Sequence, residues 1–414
     1  MFATFHAMNR DFGAPPAERS GSVNIQGTST NDNLGFNVYL SPNGKFIAVS
    51  SPYSNNSTGY VDCWYWNSTY NEWNMSGIIN GPSQNSFFGY SVCIASDADS
   101  LTPGNQPASQ LLFITDINGN IYQYYWQGSW IQRGVRYFNN PAFKIGWLDM
   151  THDESSTAEY KVVLSQYGQN SQLQGVAVYR YNYIGYLGQL GRTIQLAGWV
   201  ADHQFGSDIS ISHQAPYVLA IAAPQQNRVY IYEWLGTDWT ADGSAFEING
   251  VTGDYAGFGI HLSGDGNTIV IASAMRNNRK GAVRVYRKSG SSWPQLGGDI
   301  DGESDDDRFG EYSVAISSNG NRIAIGAPQP GADSYPGNAD DGPGYVKVYD
   351  WNGSSWNEIV QKIEGNSNGD KCFNVALSGD GQVLSVSSTY ENHTFLTPVI
   401  ENAGVTRLYS LPAI

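Results

Sequence analysis

One unit recurs along this chain, and it constrains the fold more than any other feature. Its clearest copy spans Glu311–Trp356. Three short runs, Glu311–Ser317, Arg322–Pro328 and Gly344–Trp351, are rich in β-branched and aromatic residues. Asn319-Gly320 and Asn352-Gly353 supply turn residues that tolerate positive φ, and a fourth run, Trp356–Ile363, follows. Together the four runs predict an antiparallel meander. The first run returns as Gly35–Ser41, Gly89–Ala95, Gly146–His152, Gly206–Ser212, Gly257–Ser263 and Cys372–Ser378. The last residues of the seven copies are 54, 57, 60, 51, 54 and 61 positions apart. A lone four-stranded meander cannot bury both faces. Packing each one against its neighbours around an axis can, so this period predicts a β-propeller.

The two ends of the chain fix the number of blades. Gly21–Gly27 resembles the close of a repeat, as in Phe246–Gly250 and Gln361–Gly365, yet no first run precedes it. The seventh copy has the complementary defect: Cys372–Ser378, Val383–Ser388 and Val405–Tyr409, with no fourth run of its own. The expected fold is therefore all-β: a seven-bladed β-propeller of four-stranded antiparallel blades, its ring closed by an N-terminal strand that completes the last blade. Closure removes the exposed sheet edge of an open stack. The domain is expected over residues 21–414. Residues 1–20, with Pro15-Pro16 and no strand pattern, are expected to form an arm, flexible or used for docking.

In copy one the later strands are expected at Lys45–Pro52, Gly59–Trp66 and Trp73–Ile79. Copy two carries an insertion, Asp97–Gln110, before Leu111–Thr115, Ile121–Trp126 and Trp130–Val135. Copy three is the most eroded, with Tyr160–Ser165, Gly175–Tyr181 and a Gly/Tyr-rich Ile184–Ile194. Copies four to six agree best, with second strands at Tyr217–Pro224, Thr268–Ala274 and Arg322–Pro328. Two long loops, Gln329–Pro343 and Thr389–Ala403, are candidates for recognition, because long loops on a rigid scaffold commonly carry it.

Charge narrows the partners. The chain of 414 residues has a formal net charge of −15. That argues against nucleic acid and anionic membranes, which need a basic footprint. No signal peptide and no apolar run of transmembrane length is visible. Cys63, Cys93 and Cys372 are odd in number and lack metal spacing, so they are expected as buried apolar residues.

The motif Phe88-Gly89-Tyr90-Ser91-Val92, with Phe205-Gly206, and the motif Ile325-Gly326-Ala327-Pro328, with Ile221-Ala222-Ala223-Pro224, resemble the two halves of the FG-GAP repeat. That repeat is the unit of integrin-α-like β-propellers, and the resemblance covers residues 21–414. It implies a seven-bladed propeller used for adhesion to protein or glycan. It also implies a setting on a virion, a cell surface or otherwise outside the cell. One family feature is missing. Integrin-type repeats hold calcium in the hairpin after the first strand through several carboxylates. The hairpins here (Ser41–Gly44, Ser263–Gly266, Ser317–Gly320 and Ser378–Gly381) offer at most one each. No metal, cofactor or catalytic residue is therefore assigned. Calcium is left open only at the acidic stretch Asp299–Asp307, whose simpler reading is a solvated loop between blades.

The six histidines (His6, His152, His203, His213, His261 and His393) form no catalytic motif. Third strands end in Trp66, Trp126, Trp234 and Trp351. Fourth strands are expected to start at Trp73, Trp130, Trp239, Trp293 and Trp356. That regularity points to blade packing rather than glycan stacking. The expected function is a non-enzymatic module for protein–protein interaction or adhesion, with a capsid, surface or receptor protein as partner. The alternative is a glycan-binding lectin-like propeller with equivalent pockets in several blades. A third reading, a lyase or glycosidase, would need carboxylates on the inner strands, where only Asp149 and Asp208 are acidic.

Overall fold

The computed structural model describes residues 24–414 apart from 97–100, 103–105, 108–109, 138–142, 152–159, 169–174, 183–184, 196–203, 241–245, 331–341 and 393–399. The arm at 1–20, residues 331–341 and 393–399 of the two long loops, and His6, His152, His203 and His393 lie outside the described residues.

Seven antiparallel blades are present. Blade 1 runs Val38–Leu40, Phe46–Ser51, Tyr60–Asn67 and Glu72–Asn80. Blade 2 runs Val92–Ser96, Gln110–Thr115, Asn120–Trp126 and Trp130–Tyr137. Blade 3 runs Phe143–Met150, Tyr160–Gly168, Gly175–Asn182 and Gly185–Gln189. Blade 4 runs Ile209–Ile211, Val218–Ala223, Arg228–Glu233 and Phe246–Asn249. Blade 5 runs Gly259–Leu262, Thr268–Ser273, Ala282–Arg287 and Ile300–Asp301. Blade 6 runs Val314–Ile316, Arg322–Ala327 and Tyr345–Trp351, with an outer strand split into Trp356–Glu358 and Ile363–Glu364. Blade 7 runs Cys372–Leu377, Val383–Ser388 and Val405–Ser410. The N-terminal Ile25–Gln26 completes it, with Ile25 opposite Thr406 and Gln26 opposite Val405. Around this short strand the backbone bonds continue, from Gly27 N–H to Gly404 and from Leu34 N–H to Ala403.

The second strand of each blade has a sheet on both faces. Phe46–Ser51, Val218–Ala223, Thr268–Ser273, Arg322–Ala327 and Val383–Ser388 are accordingly buried from end to end. This explains why small and apolar residues occupy both of their faces instead of alternating with exposed polar ones. The core is divided among the junctions. Seven apolar clusters occupy the seven interfaces between neighbouring blades, among them Phe88 with Ile114 between blades 1 and 2, and Phe309 with Ile325 between blades 5 and 6.

The sequence places some strand limits too generously. In blades 1, 2, 4 and 5 the first strand begins later than the glycine that opens the run, whereas in blade 3 it begins earlier, at Phe143. In blade 1 the N–H groups of Gly35 and Phe36 both go to the carbonyl of Ser50, and in blade 2 those of Gly89 and Tyr90 both go to Thr115. Two donors sharing one acceptor form a bulge that delays the ladder. Trp293 does not start a strand. It lies between the Ser289–Ser292 and Tyr286–Gln295 bridges, and the outer strand of blade 5 forms only at Ile300. Part of the blade 2 insertion folds as its own ribbon, Leu101–Thr102 against Gln106–Pro107.

Candidate functional site at the axial mouth

The bulge at the start of each blade builds the site. The glycine there has positive φ, +96° at Gly35, +92° at Gly89 and +83° at Gly206. A Cβ on Gly35 would also come within 2.6 Å of Ser387. Only glycine satisfies both demands. Two residues before this glycine the backbone is left-handed again, on a side chain that is not glycine. Asn33, Phe87, Gln204, Tyr255 and Arg308 have φ between 51° and 54°, and Lys371 has the same geometry at 51°. One backbone conformation thus presents six different side chains around one end of the propeller. Positive φ is uncommon away from glycine and asparagine, and strain of this kind tends to gather at functional sites.

The residue after the glycine turns towards the axis in every blade but the fifth, whose Phe258 lines neither the mouth nor the well below it. That residue is Phe36, Tyr90, Trp147, Ser207 or Phe258, with Tyr312 in blade 6 and Phe373 in blade 7. Six of these seven are aromatic. Their rings form a connected chain. Phe36 lies 5.5 Å from Tyr53 and 5.8 Å from Tyr90, Tyr90 lies 6.1 Å from Trp147, and Trp147 stacks on Tyr312 at 6.2 Å. Tyr312 then meets Phe258 edge-on at 5.4 Å. Above them lies a mouth of 520 Å³, lined also by Gln204, Glu311 and Tyr390. Arg308 pairs with Glu311 at 3.4 Å, and the Lys371 ammonium sits 5.2 Å from the centre of the Tyr390 ring. Burial raises the Glu311 carboxyl, and Arg308 and Lys371 oppose that shift.

Beneath the rings is a narrow axial well of 150 Å³. The polar residues of the first strands stitch the ring together here. The Oδ1 of Asn37 accepts from Val92 N–H at 3.1 Å and the Oγ of Ser91 from Leu148 N–H at 3.1 Å. Asp149 accepts from Ile211 N–H and Asp208 from Ile260 N–H, each at 2.8 Å. His261 Nδ1 accepts from Ile316 N–H at 3.3 Å, Ser313 Oγ donates to the Phe373 carbonyl, and Asn374 Nδ2 donates to Gly35 and Phe36. Every junction of the ring carries such a bond. A polar side chain at the seam satisfies a backbone group that the neighbouring first strand leaves unpaired.

Burial sets the protonation of these groups. It pushes Asp208 up to about 8 and the nearby charge of Asp149 adds to that shift, while the Ile260 and Ile209 amides oppose it. Asp149 is pushed up to about 6 by burial, against the amides of Ile211 and Met150 and the Ser210 hydroxyl. Burial lowers His213 to about 3, with His261 adding, and lowers His261 to about 4.

The other candidates found structural partners. In the acidic stretch Asp299 pairs with Arg276 and Arg284, Glu303 with Lys347 and Lys362, and Asp306 with Arg279. Asp307 caps the N–H groups of Glu303 and Ser304 and accepts from the Tyr345 hydroxyl at 2.7 Å. In the hairpins where the FG-GAP resemblance puts calcium, the side-chain oxygen folds back on its own turn. Ser263 Oγ donates to Asp265 Oδ1 at 2.5 Å, which also accepts from Asn267 N–H, and Ser378 with Asp380 repeats this. No group of three or more metal-ligating side chains occurs among the described residues. The tryptophans pair across their hairpins, Trp66 with Trp73 at 5.7 Å and Trp126 with Trp130 at 5.4 Å. Trp239 and Trp356 also donate to carbonyls of the preceding blade, Leu190 and Leu296. The three cysteines are buried and unbridged.

No protein-family model and no curated protein matches this chain. Solved structures share its architecture. Hydrazine synthase of Kuenenia stuttgartiensis aligns over 94% of this chain and 98% of its own, with a TM-score of 0.55 and 11% identity. KlAtg21, solved in complex with the coiled coil of AgAtg16, aligns over 93% and 95%, with a TM-score of 0.55 and 11% identity. Sqt1 of Saccharomyces cerevisiae aligns over 97% and 100%, with a TM-score of 0.50 and 13% identity. At such identity the likeness establishes the propeller fold alone.

The mouth has no linear motif. Both long loops reach it at their first residues, Pro330 and Thr389 with Tyr390, but most of its lining comes from the starts of blades 1 to 4, 6 and 7, which no single stretch of sequence joins. The signal present in the sequence is the aromatic residue after the repeat glycine at Phe36, Tyr90 and Trp147, with Tyr312 one residue further on.

Proposed function

We propose that this chain is a non-enzymatic interaction module that binds a protein partner at the axial mouth. The observation that carries this reading is the lining of the mouth: Phe36, Tyr90, Trp147, Tyr312 and Phe373 around the axis, with the dissimilar side chains of Gln204, Arg308 and Lys371 held beside them by one left-handed backbone geometry. A rigid frame with variable side chains, many of them aromatic, is what recognition of a protein surface requires. The glycan alternative called for equivalent pockets in several blades, and the single shared mouth favours one inserted partner segment. Against an enzyme stands the use of both inner carboxylates. Asp149 and Asp208 each accept two backbone N–H groups, which occupies the lone pairs an acid–base pair would need. KlAtg21 is an instance of a propeller of this architecture in complex with a coiled coil. The setting on a virion or cell surface rests on the FG-GAP resemblance and the acidic charge.

The test is photocross-linking in the native source, followed by mass spectrometry. A cross-linking residue at Gln204, exposed at the mouth, is compared with one at Asp380, exposed on the opposite hairpin face. The reading expects adducts to a discrete second protein from position 204 only, lost in a Trp147→Ala background. Self-links alone, or equal adducts from both positions, would overturn it. A glycan array on the wild type and Trp147→Ala would then test the lectin reading.

A further inference from the structure

The outer rim differs between the two sides of the propeller. Residues 21–140, which hold blades 1 and 2, contain nine charged residues with a net charge of −3. Residues 141–414 contain 46, with a net charge of −12. The outermost strands follow the same division. Those of blades 4 to 6 are short and guarded by ion pairs, Arg228–Glu247 at 3.2 Å, Arg284–Asp299 at 2.8 Å and Lys347–Glu358 at 3.4 Å. Charges on an outer strand are a common defence against association. The outer strands of blades 1 and 2 are nine and eight residues long, and their exposed side chains include Met75, Ile78 and Ile131. Tyr186 and Leu187 of blade 3, 46% and 45% exposed, extend the apolar strip.

These edges are not open to strand addition. Each of the three outer strands carries one extra residue against its partner, at Ser76, Arg133 and Leu187. A bulge at the same place in three successive blades interrupts the ladder and re-aims the side chains. Contact must therefore be made by side chains. The shapes available are a knob and a groove. Met75 and Ile78 project from blade 1. Between blades 2 and 3 lies a groove of 340 Å³ lined by Ile121, Arg133, Val135, Tyr181 and Tyr186.

We propose that a second copy of this chain docks on this rim across a two-fold axis at blade 2. Met75 and Ile78 of each copy enter the groove between blades 2 and 3 of the other. A knob and its groove flanking one centre make a self-complementary patch, the requirement for a closed isologous dimer. Charge selects the same face. Copies that each carry −15 repel one another, and they do so least on the side of residues 21–140, which contribute −3 of it and bury Asp32, Asp62 and Asp116 among their six acids. The rim faces away from the axis, so this dimer leaves both mouths open and is independent of the function proposed above.

Sedimentation velocity over a wide concentration range tests the proposal. The wild type is expected to show a concentration-dependent dimer. Met75→Glu combined with Ile78→Glu is expected to raise the dimer Kd more than about tenfold with an unchanged melting temperature, since both sites are on the surface. A second measurement does not depend on that variant. Ile131→Cys lies near the two-fold and should form a disulfide-linked dimer under mild oxidation, while Leu235→Cys on blade 4, 67% exposed, should not. The native cysteines are buried and give a low background. A wild type that stays monomeric throughout, a double variant that dimerises like wild type, or equal cross-linking at 131 and 235 would each overturn the proposal.

Discussion

Trp147 of blade 3 stacks on Tyr312 of blade 6, their ring centres 6.2 Å apart and their planes 27° apart. The two residues stand three blades apart in the ring, so the pair bridges the axis. Both line the mouth above and the well below. Tyr312 reaches this place because blade 6 has one more residue, Glu311, between its glycine and its first strand. The extra residue puts Tyr312 at φ +53° and leaves it 45% exposed.

That geometry makes a stability prediction. A β-branched residue is the poorest fit to left-handed backbone, and asparagine among the best. Tyr312→Val is expected to lose about 1–3 kcal/mol in denaturant unfolding, with Tyr312→Asn retaining more stability than Tyr312→Val. Equal loss in both variants would show that the stack, and not the backbone, sets the stability of this loop.

Arg322 is expected to be the most sensitive charged residue of the chain. Its guanidinium is fully buried, holds Asp350 through two bonds of 2.6 and 2.7 Å, and donates to the carbonyls of Gly381 and Pro412. It thereby ties blade 6 to blade 7 and to the C-terminal segment. Arg322→Ala leaves Asp350 and two carbonyls without their partner, and is expected to cost about 3–5 kcal/mol in chemical unfolding. A loss below about 1 kcal/mol would mean that water replaces the guanidinium without penalty.

Ring closure depends on Ile25, which is 1% exposed in the cluster between blades 7 and 1. Ile25→Asp buries a charge in that junction and is expected to lower the melting temperature sharply and to promote aggregation through the freed edge at Val405–Ser410. Limited proteolysis should cut the variant first in blade 7. Wild-type protease resistance would show that the ring stays shut without this strand.

Stability is expected to fall on both sides of a mildly acidic optimum. Asp208 keeps its proton up to about pH 8 when folded, whereas an unfolded aspartate loses it near ~3.9. The folded state therefore binds more protons in that window, and the contribution of Asp208 declines as pH rises through it. Asp149 acts likewise up to about 6. His213 and His261 stay neutral when folded down to about 3 and 4, so their contribution is present above the unfolded value of ~6.5 and is lost as pH falls. Thermal melts between pH 6 and 8.5 should slope downward in the wild type and less so in Asp208→Asn. An identical slope would remove Asp208 as the cause.

Added calcium is expected to leave the melting temperature of the wild type unchanged. Asp299, Glu303, Asp306 and Asp307 already bond to arginines, lysines and backbone amides, and Asp265 and Asp380 close their own turns. A clear upward shift, lost in Asp305→Asn, would place a cation site in the acidic stretch.

The seven blades, their inner strands and the closing strand are legible along the chain, whereas the outer strands of blades 4 and 5 form later than their tryptophans suggest. That legibility arises because each strand must be apolar where a neighbouring sheet covers it, and that demand leaves the same imprint in every repeat. The hairpin tryptophans were legible for the same reason: they recur at a fixed strand position. Tertiary structure alone decided what lies on the axis. Asn37, Ser91, Asp149, Asp208, His261, Ser313 and Asn374 are of four residue types, yet all bond across a blade junction, because any polar side chain of suitable reach at that seam can meet a backbone group in the next blade. The mouth is likewise invisible along the chain. Trp147 and Tyr312 are 165 positions apart in sequence and meet only because ring closure brings the starts of all seven blades to one axis.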